Sequence, residues 1–325
     1  MQLYFKNDYY LNKAKEILSK GEININHRLR KEDALLVLLK NVSSNDLSNL
    51  CNELSKKLNI SFDDSYNLIQ NDNIYKYQIF SIALNLVQNK IYLGNNYDEK
   101  FNTSSWISHS INVALVTYNL ANMLSLDSDY AFVYGLLHDF GRKYIHNFEH
   151  VVKGFEALVD LGYESEAKAC LTHSFINGGR YCSMEVADSN FYLDVNDNEK
   201  YKDYSQIDEI TKVLEFVNYN DYDRILNIAD LMATSSGVVS SKYRIKDILT
   251  RRSNLEEAPN WKYFLVSYYN LLVYILNKMD NNFSEIDMDL SLEETKQLLW
   301  NLSDKFYNIY KEKENNLVLF KRNNY

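Results

Sequence analysis

The chain has 325 residues, of which 46% are hydrophobic and 14% aromatic, which sets aside a disordered or fibrous polymer and leaves room for a large core with two subdomains. Its formal net charge of −9 argues against extended nucleic-acid binding, which needs a basic surface, but still allows a small nucleotide held by a few local cations. Three cysteines (Cys51, Cys170 and Cys182) without CxxC spacing give no disulfide framework and point to a reducing, cytoplasmic compartment.

One proline, Pro259, and nine glycines over this length predict helices rather than many short strands and turns, hence an all-α fold. Met1 to Tyr10 carries Lys6 and Asp8 before any long apolar run, so no secretory signal is expected. Residues 1–95 show apolar residues at helical spacing, as in Ala34 to Leu39. Ser43-Ser44-Asn45-Asp46 reads as a cap before a helix over Leu47 to Leu58. Nothing there has catalytic character, and the region reads as a helical accessory unit of unknown role. Gly94 to Lys100 is a polar loop leading into a second region.

In that second region a buried helix is expected from Trp106 to Leu124. The next, capped by Asp127 or Ser128, ends at His138, with Gly141 as its stop. Helices follow over Val151 to Leu161 and Glu164 to Thr172. A hinge at Gly178-Gly179 precedes an acidic, polar stretch over 188–208 that reads as a solvated loop. Tyr222 to Thr234 forms a helix presenting Asp230. Two long amphipathic helices close the chain, the second opening with the capping box Ser291-Leu292-Glu293-Glu294. The most apolar late stretch, Phe264 to Met279, is broken by Ser267, Asn270 and Asn277 and is too short and polar to span a bilayer, so no membrane association is expected.

The chemistry concentrates in Leu136-Leu137-His138-Asp139-Phe140-Gly141-Arg142. An imidazole and a carboxylate side by side at a helix end can hold a divalent metal. Five of the six histidines (His109, His138, His146, His150 and His173) fall within 65 residues. His146 lies four residues before His150 and lacks the glycine that follows His150 at Gly154, so it reads as a surface or supporting residue. His27, beside Arg28 and Arg30, reads as surface. Mixed nitrogen and oxygen ligands suit Fe, Mn, Co, Ni or Zn without choosing among them.

In order and context these residues resemble the HD-domain superfamily of metal-dependent phosphohydrolases, whose pattern is H…HD…D, with two further histidines in its two-metal branch. His109, His138, Asp139 and Asp230 match the four core positions, and His150 and His173 match the additional two. The resemblance covers roughly residues 100–250. It departs from the usual pattern in one respect: 57 positions separate His173 from Asp230, more than the family often uses. It implies an HD-domain-like helical bundle at 96–250 with an insertion at about 178–220, and C-terminal helices at 251–325 packing on that core.

The resemblance also implies a centre built on His138 and Asp139. His109, His138 and Asp230 hold one ion, His150 and His173 hold another, and Asp139 bridges them. Arg142 and Lys143, directly after the His-Asp pair, and Arg180, beside the glycine hinge, are the candidate substrate-phosphate contacts. The expected activity is hydrolysis of a phosphate ester or anhydride of a nucleotide or another small phosphorylated molecule, with two divalent transition-metal ions as cofactor. Two alternatives carry the same residues: a di-iron oxygenase, and a non-catalytic signalling or binding module. Homo-oligomerisation is left open.

Overall fold

Side-chain oxygens open three of the five helices that carry the site. The computed structural model describes residues 5–20, 29–71, 73–94, 105–145, 149–176, 213–251, 256 and 261–316. In the first half of the chain lie α1 (Asp8–Ser19), α2 (Lys31–Leu39), α3 (Ser48–Leu58), α4 (Phe62–Asn71) and α5 (Lys76–Gln88). Next come α6 (Trp106–Met123), α7 (Ser128–Leu137), a 3-10 turn (Phe140–Lys143), α8 (His150–Asp160) and α9 (Glu164–Thr172). The last are α10 (Asp221–Met232), α11 (Ser241–Arg251), α12 (Trp261–Lys278) and α13 (Leu292–Asn316). The fold is all-α, as expected. The expected accessory region at 1–95 contributes α1 to α5.

The caps follow local rules. Ser105 accepts from the Ser108 amide to start α6, and Asp127 accepts from the Tyr130 amide at 3.0 Å to start α7. Asn220 and Asp223 form a reciprocal capping box at the start of α10. Ser291 and Glu294 form the one expected for α13, with Glu294 accepting from the Ser291 amide at 2.9 Å. The Ser43–Asp46 pair does hydrogen-bond, but it closes the turn ahead of α3, and Leu47 caps α3 without a side-chain bond.

α6 is buried on nearly every face and runs through the middle of the molecule beside α7. One side of this pair (Ile107, Ile111, Phe132 and Leu136 among others) joins a core cluster shared with α1 to α5, α8 and α9. The other side (Val113, Val116, Leu120 and Tyr134) joins a second cluster built with α10 to α13. The expected boundary near residue 95 therefore lies within one continuous apolar cluster, and α12 and α13 pack on the opposite side of the central pair. No described helix is long and apolar enough to cross a membrane.

Two expectations about helix ends need correction. α10 stops at Met232 rather than Thr234, because Ala233–Thr234 pairs antiparallel with Gly237–Val238 in a two-stranded turn. The Thr234 hydroxyl accepts from the Ser236 amide at 3.2 Å, a local bond that competes with helix continuation. Asn112 of α6 donates to the Thr234 carbonyl at 2.8 Å and pins this turn. Gly141 is not a helix stop either: α7 already ends at Leu137 with His138 in helical geometry, and Gly141 sits inside the 3-10 turn. Its lack of a side chain serves a close backbone approach to α8, since a Cβ there would lie 1.9 Å from the His150 carbonyl oxygen.

Candidate metal centre

Four helix ends and one central helix bring the six candidate ligands together. His109 projects from the first turn of α6, and His138 and Asp139 follow the last turn of α7. His150 opens α8, His173 follows the last turn of α9, and Asp230 lies in the last turn of α10. Helix ends suit this task because the chain can turn sharply there and aim adjacent side chains at one point. His138 and His150 are fully buried, and His109, Asp139 and His173 nearly so. Asp230, with a side chain 26% exposed, marks the open side of the cluster.

Asp139 stands at the centre, and its two oxygens divide the histidines. Oδ2 lies 3.6 Å from His138 Nε2 and 3.9 Å from His109 Nε2. Oδ1 lies 3.0 Å from His150 Nε2 and 3.6 Å from His173 Nε2. Asp230 Oδ1 closes the first group, 3.0 Å from His109 Nε2 and 3.7 Å from His138 Nε2. The two triads His109–His138–Asp139 and Asp139–His150–His173 each keep their ligand atoms within 4.8 Å of one another.

The donor set fits a metal on chemical grounds. His138 Nδ1 lies 2.7 Å from the Gly135 carbonyl, which makes Nδ1 the protonated nitrogen and leaves the Nε2 lone pair facing inward. That Nε2 is buried and has no hydrogen-bond partner among the described residues. It is too far from either carboxylate for a hydrogen bond, yet near the spacing of about 3.0–3.4 Å between ligand atoms that share an ion at bond lengths of about 2.1 Å. His173 is fixed the same way, its Nδ1 lying 2.9 Å from the Cys170 carbonyl and its Nε2 3.2 Å from His150 Nε2.

The electrostatics favour the ligand form of His109, His173, Asp139 and Asp230, while His138 runs the other way. Burial pushes the His173 imidazole down to about 3, and His138 nearby adds to the effect. Burial also lowers His109. For Asp139 burial acts in the opposite sense, but Arg142 and the surrounding histidines outweigh it and hold the carboxyl well below the usual range. Asp230 is held down against burial by His109 and His138. Burial disfavours charge on His138 too, yet the carboxylates of Asp139 and Asp230 lift it above the ordinary imidazole value.

The candidate substrate contacts separate. Arg142 Nε lies 3.4 Å from Asp139 Oδ1, on the His150–His173 side, and its side chain is 25% exposed. Lys143 is not brought to the cluster. Its ammonium lies 3.5 Å from the Val37 carbonyl of α2 and 5.1 Å from the centroid of the Phe140 ring. Burial, with Lys40 adding, lowers its pKa to about 8. Arg180 and the Gly178-Gly179 hinge lie outside the described residues, as do the acidic stretch 188–208, His27 and His146.

The sequence reading missed the polar residues that tie the ligand-bearing helices to one another, Asn112, Asp223 and Asn227. Their only signal is a polar residue within an apolar helical pattern, such as Asn227 in Ile225-Leu226-Asn227-Ile228-Ala229.

No curated protein and no solved structure is significantly similar to the chain. Residues 106–233 match the family model described as HD domain, a span that runs from the first residue of α6 to just beyond α10 and takes in all six clustered side chains. Over residues 106–233 the chain is thus similar to an HD domain.

Proposed function

We propose that this site holds two divalent transition-metal ions and that the protein hydrolyses a phosphate ester or anhydride of a nucleotide or another small phosphorylated molecule. The observation that carries this reading is the division of Asp139, with one oxygen turned to His109 and His138 and the other to His150 and His173. Only a carboxylate has two oxygens to share in this way.

His109, His138 and Asp230 would hold one ion, His150 and His173 the other, and Asp139 both. Bound there, a pair of ions acidifies a water to a nucleophile at neutral pH and neutralises charge on phosphoryl oxygens. The chain's own groups do the rest. The carbonyls of Gly135 and Cys170 orient the rings of His138 and His173 and place the proton of the neutral ring on Nδ1, so that Nε2 faces inward. The near-complete burial of five of the six side chains excludes bulk water from one side of the centre. Arg142 and Asp230 are both partly exposed. The Arg142 guanidinium offers an anionic substrate a pair of parallel donors.

Elemental analysis of purified protein, joined to a phosphate-release screen over nucleotides and sugar phosphates, tests the reading. We expect close to two ions per chain and metal-dependent phosphate release, with both lost in Asp139→Ala. One ion or none in well-folded protein would reject the two-ion centre. Two ions with no phosphate release and with oxygen consumption would turn the reading to the oxygenase chemistry.

A further inference from the structure

α10 carries a file of polar side chains along one face, Asp223, Asn227 and Asp230, at spacings of four and three residues. Asn227 is 2% exposed, and its Nδ2 donates to the carbonyls of Thr172 at 2.9 Å and His173 at 2.7 Å. These are the last residue of α9 and the residue that caps it, where carbonyls have no partner within their own helix. Both neighbours being acceptors, only the amide nitrogen can face them, which sets the orientation of the side chain. The price is that Asn227 Oδ1 is buried with no partner among the described residues.

One turn earlier, the fully buried Asp223 carboxylate accepts from three side chains of other helices as well as from the Asn220 amide: Tyr134 of α7 at 2.6 Å, and Thr172 and Lys168 of α9 at 3.0 and 2.7 Å. Tyr134 stands four residues before His138, and Thr172 immediately precedes His173. Asp223 therefore clamps the bodies of α7, α9 and α10 together, while the Asn227 side chain reaches the His173 carbonyl itself. The bonds that His173 Nδ1 makes to Ala169 and Cys170 orient the ring against its own helix, but they do not place that helix end against Asp230. The Asn227 amide spans that gap.

We infer that Asn227 is a positioning residue that holds His173 in register with Asp230, and so keeps the Asp139–His150–His173 half of the centre competent to take its ion. This inference rests on the two-ion reading above. Partners that orient metal ligands in this way affect metal affinity by roughly tenfold to a hundredfold. The effect here falls on the half that contains His173: of the ligands to the other ion, His109 and His138 are carried by α6 and α7, and Asp230 shares α10 with Asn227, so none of them depends on the Asn227 bonds to the end of α9.

The test is a titration of metal-free, full-length protein with Co2+, followed by calorimetry and by the visible absorption of the bound ion. Wild type is expected to take two ions. Asn227→Leu, of similar volume but without donors, is expected to bind the first ion as wild type does and the second tenfold to a hundredfold more weakly. Asn227→Asp, which keeps the shape and removes the donors, provides a second variant should the leucine protein fail to fold, and the same split is expected. Wild-type affinity for both ions in either folded variant would overturn the inference. Equal weakening of both ions would overturn it too, since that marks a general structural role. A wild-type protein that takes fewer than two Co2+ ions defeats the two-ion reading itself, whatever the variants do.

Discussion

Gly141 and Gly154 meet backbone to backbone where the turn after Asp139 crosses the first turns of α8. A Cβ on Gly154 would lie 2.8 Å from the Gly141 nitrogen and 2.8 Å from Cys170 Sγ, and one on Gly141 would lie 2.7 Å from the Gly154 nitrogen. This contact sets how closely Asp139 approaches His150, whose side chains are 3.0 Å apart. An alanine at 154 gains about 1 kcal/mol in helix propensity. Against that, it overpacks a contact that cannot yield without moving backbone, which costs about 1–3 kcal/mol. We expect Gly154→Ala to be destabilised modestly and Gly141→Ala more, since its Cβ would collide with the His150 carbonyl. Denaturant midpoints and metal content check this. Gly141→Ala with wild-type values for both would show that the crossing has slack.

Arg142 sits against the Asp139 carboxylate with part of its side chain open to solvent. If it binds the substrate's phosphate, Arg142→Ala should lower kcat/KM by roughly ten- to a hundredfold, equivalent to about 1.5–3 kcal/mol for a hydrogen bond to a charged group. Metal content should stay close to wild type. Arg142→Lys should recover only part of the loss, because an ammonium lacks the paired donors of the guanidinium. Unchanged kinetics in Arg142→Ala would reduce the arginine to a partner of Asp139 alone.

The N-terminal helices are fastened to the half of the site built on α8 and α9. Tyr10 donates to Asp160 at 2.7 Å, the Lys13 ammonium lies 2.7 Å from Glu164, and the Leu18 carbonyl accepts from the Asn218 amide at 2.8 Å. The same helices cover Ile107, Ile111, Phe132 and Phe155 in a shared apolar cluster. A fragment starting at Asn96 should therefore expose a contiguous apolar face and lose solubility. Whatever remains soluble should hold the His109–His138–Asp139 ion better than the other. Size-exclusion chromatography and metal analysis of the fragment decide the point. A monodisperse fragment with two ions would establish residues 1–95 as a separable unit.

Local rules act over three or four residues, and what depends on them alone was legible. The helix over Glu164 to Thr172, the Asp127 cap and the Ser291–Glu294 box all follow from neighbours in the chain. So does the ordered run of histidines and aspartates, because each ligand type announces its chemistry wherever it sits. Where a local rule misled, a distant group was competing. Asn112, more than a hundred residues away, helps end α10 at Met232, and the approach of α8 rather than a left-handed turn explains Gly141. Lys143 shares its neighbourhood in sequence with Arg142, yet the 3-10 turn sends it to α2 and leaves Arg142 at the cluster. Which oxygen of Asp139 faces which pair of histidines, and which amide reaches the His173 carbonyl, depend on packing between helices whose contacting residues lie as far as 54 positions apart in the chain. Such pairings leave no periodic trace, because contact across a core is set by the shapes of both partners and not by the residues beside either one.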